Sequence, residues 1–252
     1  MPQLEVDDIT LRFGGVIALD ALSFTVQPDS VTALIGPNGA GKTTLFNVVT
    51  RLYEADSGSV RLDGDELLAT PAHHIATKGI ARTFQNLALV PGLTVLDNVM
   101  IGEHSRTVGG FLSSLAGVQF LGREAASRRS AMELLDRLGL AGVARSPAAG
   151  LPFGTLKRIE LARALASEPT LLLLDEPASG LTHSEVDELA AVIRDIRDEF
   201  HLTVLLVEHH MGMVMEISDE VVVMEFGSKI AEGDPATVRN DPVVIEAYLG
   251  AS

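Results

Sequence analysis

The sequence predicts an α/β domain built on a largely parallel β-sheet, with a helical segment inserted into it. One observation is a set of short, near-continuous apolar runs, which are typical of strands buried on both faces. These runs are residues 22–26, 31–35, 171–174, 204–207 and 221–224. Helical periodicity lies between them, over residues 44–52, 125–138, 156–166 and 184–200. Alternation of the two patterns indicates the α/β class.

The inserted segment runs from about residue 86 to residue 166. It lacks apolar runs comparable to those of the sheet, and it opens with Pro91-Gly92, a turn-forming pair. Helical periodicity dominates its second half. We therefore predict that it forms a separate helical layer beside the sheet.

Composition and charge narrow the classes of function. The chain has 252 residues, of which 46% are hydrophobic and 21% charged, as in a globular protein of one large domain or two small ones. It contains no cysteine, which excludes disulfides and thiolate metal sites and agrees with a reducing compartment. The formal net charge of -15 disfavours free nucleic acid as a partner.

Two features of the sequence bear on export and membrane insertion. The first eight residues are acidic where a secretory signal would be basic and then apolar, so we expect a cytoplasmic protein. The longest uncharged run, residues 107–122, is rich in glycine and serine and is shorter than the roughly 20 apolar residues of a membrane span. We expect this run to be an element of the helical layer; contact with a membrane protein or membrane surface is the alternative.

The first chemical motif is a phosphate-binding loop at residues 36–44. Its residues are Gly36, Pro37, Asn38, Gly39, Ala40, Gly41, Lys42, Thr43 and Thr44, which satisfy the pattern G-x-x-x-x-G-K-[ST]. An apolar strand precedes the loop and a helix is predicted from about Lys42, so backbone N–H groups converge on the phosphates. Lys42 would contact the β- and γ-phosphates of ATP, and Thr43 would ligate Mg²⁺. A chance match occurs in about one per cent of chains of this size, and the strand–loop–helix context argues against it.

The second motif is a pair of acids at the end of the apolar run 171–174. Asp175 is predicted to hold the Mg²⁺ shell, and Glu176 to orient or deprotonate the attacking water. Without the phosphate loop, a solvated acidic pair at a strand end would be the preferred interpretation. The loop reverses that preference, so the sequence provides for both binding and hydrolysis.

Three further residues acquire candidate roles from this context. Gln85 lies at the junction of core and insert, where its amide could contact Mg²⁺ or water. His209 follows an apolar run and is placed to meet the γ-phosphate, although a lone histidine is more often a satisfied polar residue. Phe13 could stack on adenine, and a core aromatic of a strand is the alternative interpretation.

Together these residues resemble, over essentially the whole chain, the nucleotide-binding subunits of ATP-binding cassette (ABC) transporters. In this resemblance residues 36–44 correspond to the Walker A loop, Gln85 to the Q-loop glutamine and residues 171–176 to the Walker B strand with its catalytic glutamate. His209 corresponds to the switch histidine and Phe13 to the adenine-stacking position. Four segments resemble importers of branched-chain amino acids within the family. They are residues 82–86, 102–128, 207–209 and 247–250.

The resemblance implies a single domain, 1–252, with a P-loop NTPase (RecA-like) core at about 1–85 and 167–235. A helical subdomain at about 86–166 would follow the Q-loop, and a tail would occupy 236–252. Two such domains would dimerise head to tail, so that each ATP also meets the partner's signature motif. The residues implied to act in trans are Pro152, Phe153, Gly154, Thr155 and Ser179. Two membrane permeases docked near 85–104 and an external solute-binding protein would complete an importer at the cytoplasmic face of the membrane.

The chain departs from the family at this signature. Leu-Ser-Gly-Gly-Gln is usual, and this chain has Leu151-Pro152-Phe153-Gly154-Thr155, which removes a serine hydroxyl. Such a charge-assisted contact contributes about 1.5–3 kcal/mol. The loop after the Walker B strand also departs, with Thr182 where aspartate is usual. We therefore hypothesise an asymmetric heterodimer with two unequal sites; restoration of the contact by Thr155 or a water is the alternative.

Other classes of phosphate-loop protein fit the sequence less well. A GTPase would carry an Asn-Lys-x-Asp guanine reader, which is absent from the sequence. Soluble cassettes of translation usually carry two cassettes in one chain, and those of DNA repair carry long insertions. A cassette that drives export or lipid extraction is the strongest rival, because the cassette itself does not touch the transported solute.

Overall fold

The core of the protein is a six-stranded sheet. The structure is a computed structural model and describes residues 2–85, 87–104 and 117–249. The strands of this sheet are β3 (Val31–Ile35), β6 (Ile80–Arg82), β7 (Leu171–Asp175), β8 (Thr203–Val207), β9 (Glu220–Glu225) and β10 (Ser228–Gly233). Their order is β10-β9-β3-β8-β7-β6, and every neighbouring pair is parallel except β9 and β10. The prediction of a largely parallel α/β core is confirmed.

A second, antiparallel sheet covers one side of this core. It contains β1 (Leu4–Phe13), β2 (Val16–Val26), β4 (Ser57–Leu62) and β5 (Asp65–Glu66), in the order β2-β1-β4-β5. The interpretation of run 22–26 as a strand buried on both faces is therefore wrong. Leu22, Phe24 and Val26 are buried while the two residues between them are only half-buried, so the strand has one core face. A short run in which serine and threonine hold the half-buried positions cannot be distinguished from a fully buried strand by hydropathy alone.

Eight helices flank the two sheets in the part of the chain that the structure describes. They are α1 (Lys42–Val49), α2 (Val95–His104), α3 (Gly117–Arg137), α4 (Phe153–Leu165), α5 (His183–Phe200), α6 (Met211–Ile217), α7 (Pro235–Arg239) and α8 (Pro242–Leu249). Short 3-10 helices span Ala72–Lys78 and Ala141–Val143. Each of the four predicted helical segments falls on a helix of the structure. None of the helices within the described residues has both the length and the apolar composition needed to cross a membrane.

The helical insert consists of α2, α3 and α4 in its described part. Its buried side chains, such as Leu135 and Ile159, belong to the same apolar cluster as Leu172 and Leu174 of β7. The insert is therefore packed onto the sheet. Residues 107–116 of the long uncharged run lie outside the described residues, as do Asn86 and Gly250.

The register of the parallel strands determines where the candidate site residues lie. In β7 and β8, Asp175 pairs with Val207, and in β3 and β8, Leu34 pairs with the same Val207. Parallel strands end at a common edge of the sheet, so the segments that follow β3, β7 and β8 emerge side by side. These segments begin with Gly36, Glu176 and Glu208.

Candidate nucleotide site

The phosphate loop follows β3 and depends on glycine for its shape. A Cβ on Gly36 would lie 2.1 Å from the carbonyl oxygen of Met224, and a Cβ on Gly41 would lie 2.5 Å from the carbonyl oxygen of Ala18. Gly41 also has φ of 101° at the residue that precedes α1. Since a side chain fits at neither position, the loop can run close to β2 and β9 only with these glycines.

Lys42 points back into this loop. Its ammonium donates hydrogen bonds to the carbonyl oxygens of Gly36 and Pro37, at 2.6 and 2.9 Å. Burial lowers the pKa of Lys42, and the nearby charges of Glu176 and Asp175 partly oppose that effect. The side chain thus holds a cation at the loop with two carboxylates close to it.

The start of α1 fits a phosphate group. No side chain caps the helix, and its first turn contains no acidic residue. The backbone N–H groups and the positive end of the helix dipole are therefore available to an anion, with the exposed Thr43 hydroxyl beside them. These donors and the Lys42 ammonium fit the phosphates of ATP.

Asp175 ends β7 in a buried ion pair. Its Oδ2 accepts a hydrogen bond from Nη2 of Arg82 at 2.7 Å, and the two side chains are only 4% and 7% exposed. Arg82 also donates to Oδ1 of Asn47 in α1 at 2.8 Å, which connects β6, β7 and the helix that follows the phosphate loop. No described residue donates a hydrogen bond to Oδ1 of Asp175. One carboxylate oxygen thus remains as a donor atom suited to Mg²⁺.

Glu176 lies at the centre of the candidate hydrolytic group. It has φ of 46°, and its N–H donates to the carbonyl oxygen of Val207 at 2.9 Å. Nε2 of Gln85 donates to Oε2 of Glu176 at 2.7 Å, and Nδ1 of His209 lies 4.0 Å from the same oxygen. Three residues that are far apart in the sequence thus meet at one carboxylate.

Comparison with known proteins identifies the family. A family model described as "ABC transporter" matches residues 19–179, and a second, "Branched-chain amino acid ATP-binding cassette transporter", matches residues 228–252. The chain belongs to the ABC transporter ATPase family. The cassette is 43% identical over 253 residues to the high-affinity branched-chain amino acid transport ATP-binding protein BraF of Pseudomonas aeruginosa. That match covers 99% of this chain and 98% of BraF.

Other relatives show what the cassette shares beyond one transporter type. It is 38% identical to LivG of Escherichia coli, a protein of the same description as BraF, over 99% of this chain and 98% of LivG. It is 36% identical to the sulfate/thiosulfate import ATP-binding protein CysA 1 of Chromobacterium violaceum, over 99% of this chain and 66% of CysA 1. Among solved structures, the ADP conformation of the cassette MJ1267 matches with a TM-score of 0.85 and 30% identity, over 99% of both chains. The cassette is therefore an ATPase with the P-loop NTPase fold.

Phe13 is the last residue of β1. Its ring is 47% exposed and makes an edge-to-face contact with Tyr53, at 5.2 Å between centroids. An exposed ring can receive a base, so the stacking role remains a prediction. The alternative of a buried core aromatic is wrong for this residue.

The residues expected to act in trans lie at the start of α4 and in the turn after β7. Pro152 directly precedes α4, and Phe153 in its first turn is 43% exposed. A Cβ on Gly180, next to Ser179, would lie 3.0 Å from the Phe153 ring, so these two turns are neighbours. No hydrogen bond or ring contact among the described residues joins 152–155 to the phosphate loop. Their role in trans remains a prediction.

Sequence reasoning assigned no role to several residues that shape the site. Arg82, the partner of Asp175, stands three residues before Gln85 in a motif that the sequence already singled out. Glu160 and Lys157 of α4 are buried, and they lie against the Gln85 segment through the Phe84 N–H at 3.4 Å and the Gln85 carbonyl at 3.3 Å. The sequence did hold a signal for Lys157 and Glu160, because both charged residues stand at positions of α4 that are buried and would otherwise be apolar.

Proposed function

We propose that this cassette energises a membrane importer of branched-chain amino acids. The support for the substrate class is the match of residues 228–252 to the branched-chain amino acid family model, together with 43% identity to BraF over nearly the full length of both proteins. BraF and the LivG of Escherichia coli, at 43% and 38% identity, match more strongly than the sulfate-type relative at 36%. The transported solute would be recognised by the partner subunits.

The single observation that carries the hydrolytic assignment is the contact between Gln85 and Glu176. Glu176 is the candidate general base, and the Gln85 amide at 2.7 Å holds its carboxylate at the edge of the sheet where the phosphate loop also begins. A carboxylate in this position can orient an attacking water and accept its proton. His209, 4.0 Å from the same oxygen, is assigned to the γ-phosphate.

The residues that we assign to ATP and Mg²⁺ lie at or near the same edge of the six-stranded sheet. Lys42 and the N–H groups of residues 36–44 would bind the β- and γ-phosphates of ATP. Thr43, Asp175 and Gln85 would hold Mg²⁺, which neutralises phosphate charge during the transfer. Arg82 keeps the Asp175 carboxylate oriented by occupying one of its oxygens.

We assign partner subunits to particular segments of the cassette. Residues 152–155 make no hydrogen bond or ring contact with the phosphate loop among the described residues, and we assign them, with Ser179, to the nucleotide of a second ABC ATPase. Two permease subunits docked near residues 85–104 would place the complex at the cytoplasmic face of the membrane. A solute-binding protein outside would deliver the amino acid.

The structure also supports a route from ATP to the permease. Gln85 contacts Glu176 with its side chain, and its carbonyl oxygen accepts a hydrogen bond from Lys157 of α4 at 3.3 Å. A change at the γ-phosphate can therefore shift the position of the helical insert relative to the sheet. Closure on ATP and opening after hydrolysis would then drive alternating access.

The test is purification of the cassette from its native membrane with its partners, followed by mass spectrometry of the copurifying chains. The complex is then assayed for ATP hydrolysis in vesicles that contain the binding protein. Leucine, isoleucine or valine should raise the rate, and sulfate should not. A complex without permeases, or stimulation by sulfate alone, would contradict the proposed transporter.

A further inference from the structure

Glu208 is a buried acid between two loops of the candidate site. It directly follows β8 and precedes His209, and its side chain is fully inaccessible to solvent. Burial of a charged group away from water is unfavourable unless hydrogen bonds satisfy it. The contacts of this carboxylate therefore indicate why the position holds an acid.

Three backbone N–H groups converge on the carboxylate. The N–H of Ala178 donates to Oε1 at 2.8 Å, and the N–H groups of His209 and His210 donate to Oε2 at 2.7 and 2.9 Å. All three partners are donors, so the side chain serves only as an acceptor, as an ionised carboxylate does. Hydrogen bonds of this kind are about twice as strong as those between neutral groups.

The two oxygens thereby hold two different turns. Oε1 holds the turn after β7, in which Glu176 lies two residues before Ala178 and Ser179 one residue after it. Oε2 holds the start of the turn after β8, which carries His209. Nδ1 of His209 also lies 3.7 Å from Oε2, so the same carboxylate is adjacent to the histidine ring.

We propose that Glu208 is a positioning residue that couples the partner-facing turn at Ser179 to His209. This inference rests on the proposed function, in which Ser179 meets the second cassette and His209 meets the γ-phosphate. A rigid carboxylate bonded to both turns transmits a displacement of one turn to the other. Engagement of the partner at Ser179 then sets His209 in the position that hydrolysis requires.

Glu208→Gln tests the coupling with a side chain of the same size. An amide has one oxygen and one NH₂ group, and the NH₂ would face N–H donors on one of the two turns. In the assembled complex we expect the basal kcat for ATP hydrolysis to fall about 10- to 100-fold, because one of the two turns is no longer held by the side chain at position 208. The KM for ATP should stay within about twofold, because the phosphate loop makes no contact with Glu208 among the described residues.

A double variant separates coupling from a general structural role. If Glu208 acts through His209, then Glu208→Gln combined with His209→Ala should hydrolyse ATP no more slowly than His209→Ala alone. Multiplied losses in the double variant, or an unchanged kcat in the single variant, would overturn the proposal. Glu133→Gln, which removes an exposed acid from α3, is the matched control and should retain the rate of the unmodified complex.

Two further measurements keep the test decisive. Binding of a fluorescent ATP analogue and the thermal midpoint report whether Glu208→Gln is folded. If that variant does not fold, Glu208→Asp takes its place, because the shorter carboxylate keeps the charge and reaches only one of the two turns. The readout is basal ATP hydrolysis, which is measured without amino acids. A complex whose rate does not respond to branched-chain amino acids would refute the proposed substrate, and the Glu208 variants would still test the coupling.

Discussion

The candidate hydrolytic site and the signature region differ in how far a single chain completes them. At the first, Arg82 and Asp175 form a pair with side chains 7% and 4% exposed, and Gln85 donates to Glu176 at 2.7 Å. At the second, Phe153 is 43% exposed. The cassette thus holds its candidate hydrolytic residues through internal contacts, whereas Phe153 of the signature region is open to solvent, where we propose that a second subunit binds.

The largest expected effect separates the two regions directly. Glu176→Gln in this chain should lower ATP turnover of the complex at least 100-fold, because it removes the candidate general base from the site that, in the hypothesised heterodimer, would meet an intact partner signature. The equivalent change in the partner cassette should cost much less, since that site would use Pro152 and Phe153. Steady-state hydrolysis by the two variant complexes measures both effects. Equal losses would refute the asymmetric heterodimer.

The second effect concerns the contribution of the buried Arg82–Asp175 pair to the stability of the fold. Arg82→Met leaves the Asp175 carboxylate buried without its partner, and loss of one member of such a pair costs about 3–5 kcal/mol. Urea denaturation without Mg²⁺ measures this loss. Lys78→Met is the matched control: it breaks the exposed pair with Asp65, whose side chains are 38% and 69% accessible, and should cost less than about 1 kcal/mol. Similar losses of unfolding free energy in the two variants would show that the buried pair contributes no more to stability than the exposed pair.

A smaller effect is expected at the signature region. Pro152→Ser restores the family's hydroxyl immediately before α4, where serine is also a favourable helix cap. We expect ATP turnover at the partner's site to rise about 10-fold, the lower end of what one regained charge-assisted hydrogen bond contributes. Pro152→Ala lacks the hydroxyl and is the control. An equal gain with alanine would assign the effect to removal of proline instead.

The smallest effect tests the helix that links the two regions. Burial raises the pKa of Glu160 above its ordinary value of 4.5, with the Phe84 N–H partly opposing this. The folded protein therefore binds this proton more tightly than the unfolded chain, so the contribution to stability is greatest below pH 4.5 and is lost as pH rises through the folded pKa. Relative to Glu160→Gln, the unfolding free energy of the unmodified protein should fall over that window. If urea denaturation gives the same difference in unfolding free energy between the two proteins at every pH, the prediction is wrong.

The sequence predicted the parallel core and the order of its motifs, because phosphate loops and buried strands have strong local patterns. It did not predict the antiparallel sheet, whose strands carry polar residues on one face. Nor did it assign a partner to Asp175, since Arg82 lies 93 residues away and approaches only through the pairing of β6 with β7. The roles of Gln85, Glu176, His209 and Phe13 stay predictions that the variants above can test.

The sequence by itself determined the family and the chemical character of the site. Gly36, Gly41 and Lys42 stand in one short motif and the acids at 175 and 176 in another, so the sequence alone shows the loop and the charges of a nucleotide site. Only the tertiary structure decided which groups share a contact, such as Arg82 with Asp175 and Glu208 with two separate turns. The physical reason is that these contacts depend on which parallel strands lie side by side, and such strands are joined by long crossover connections, so their neighbours are set by long-range packing.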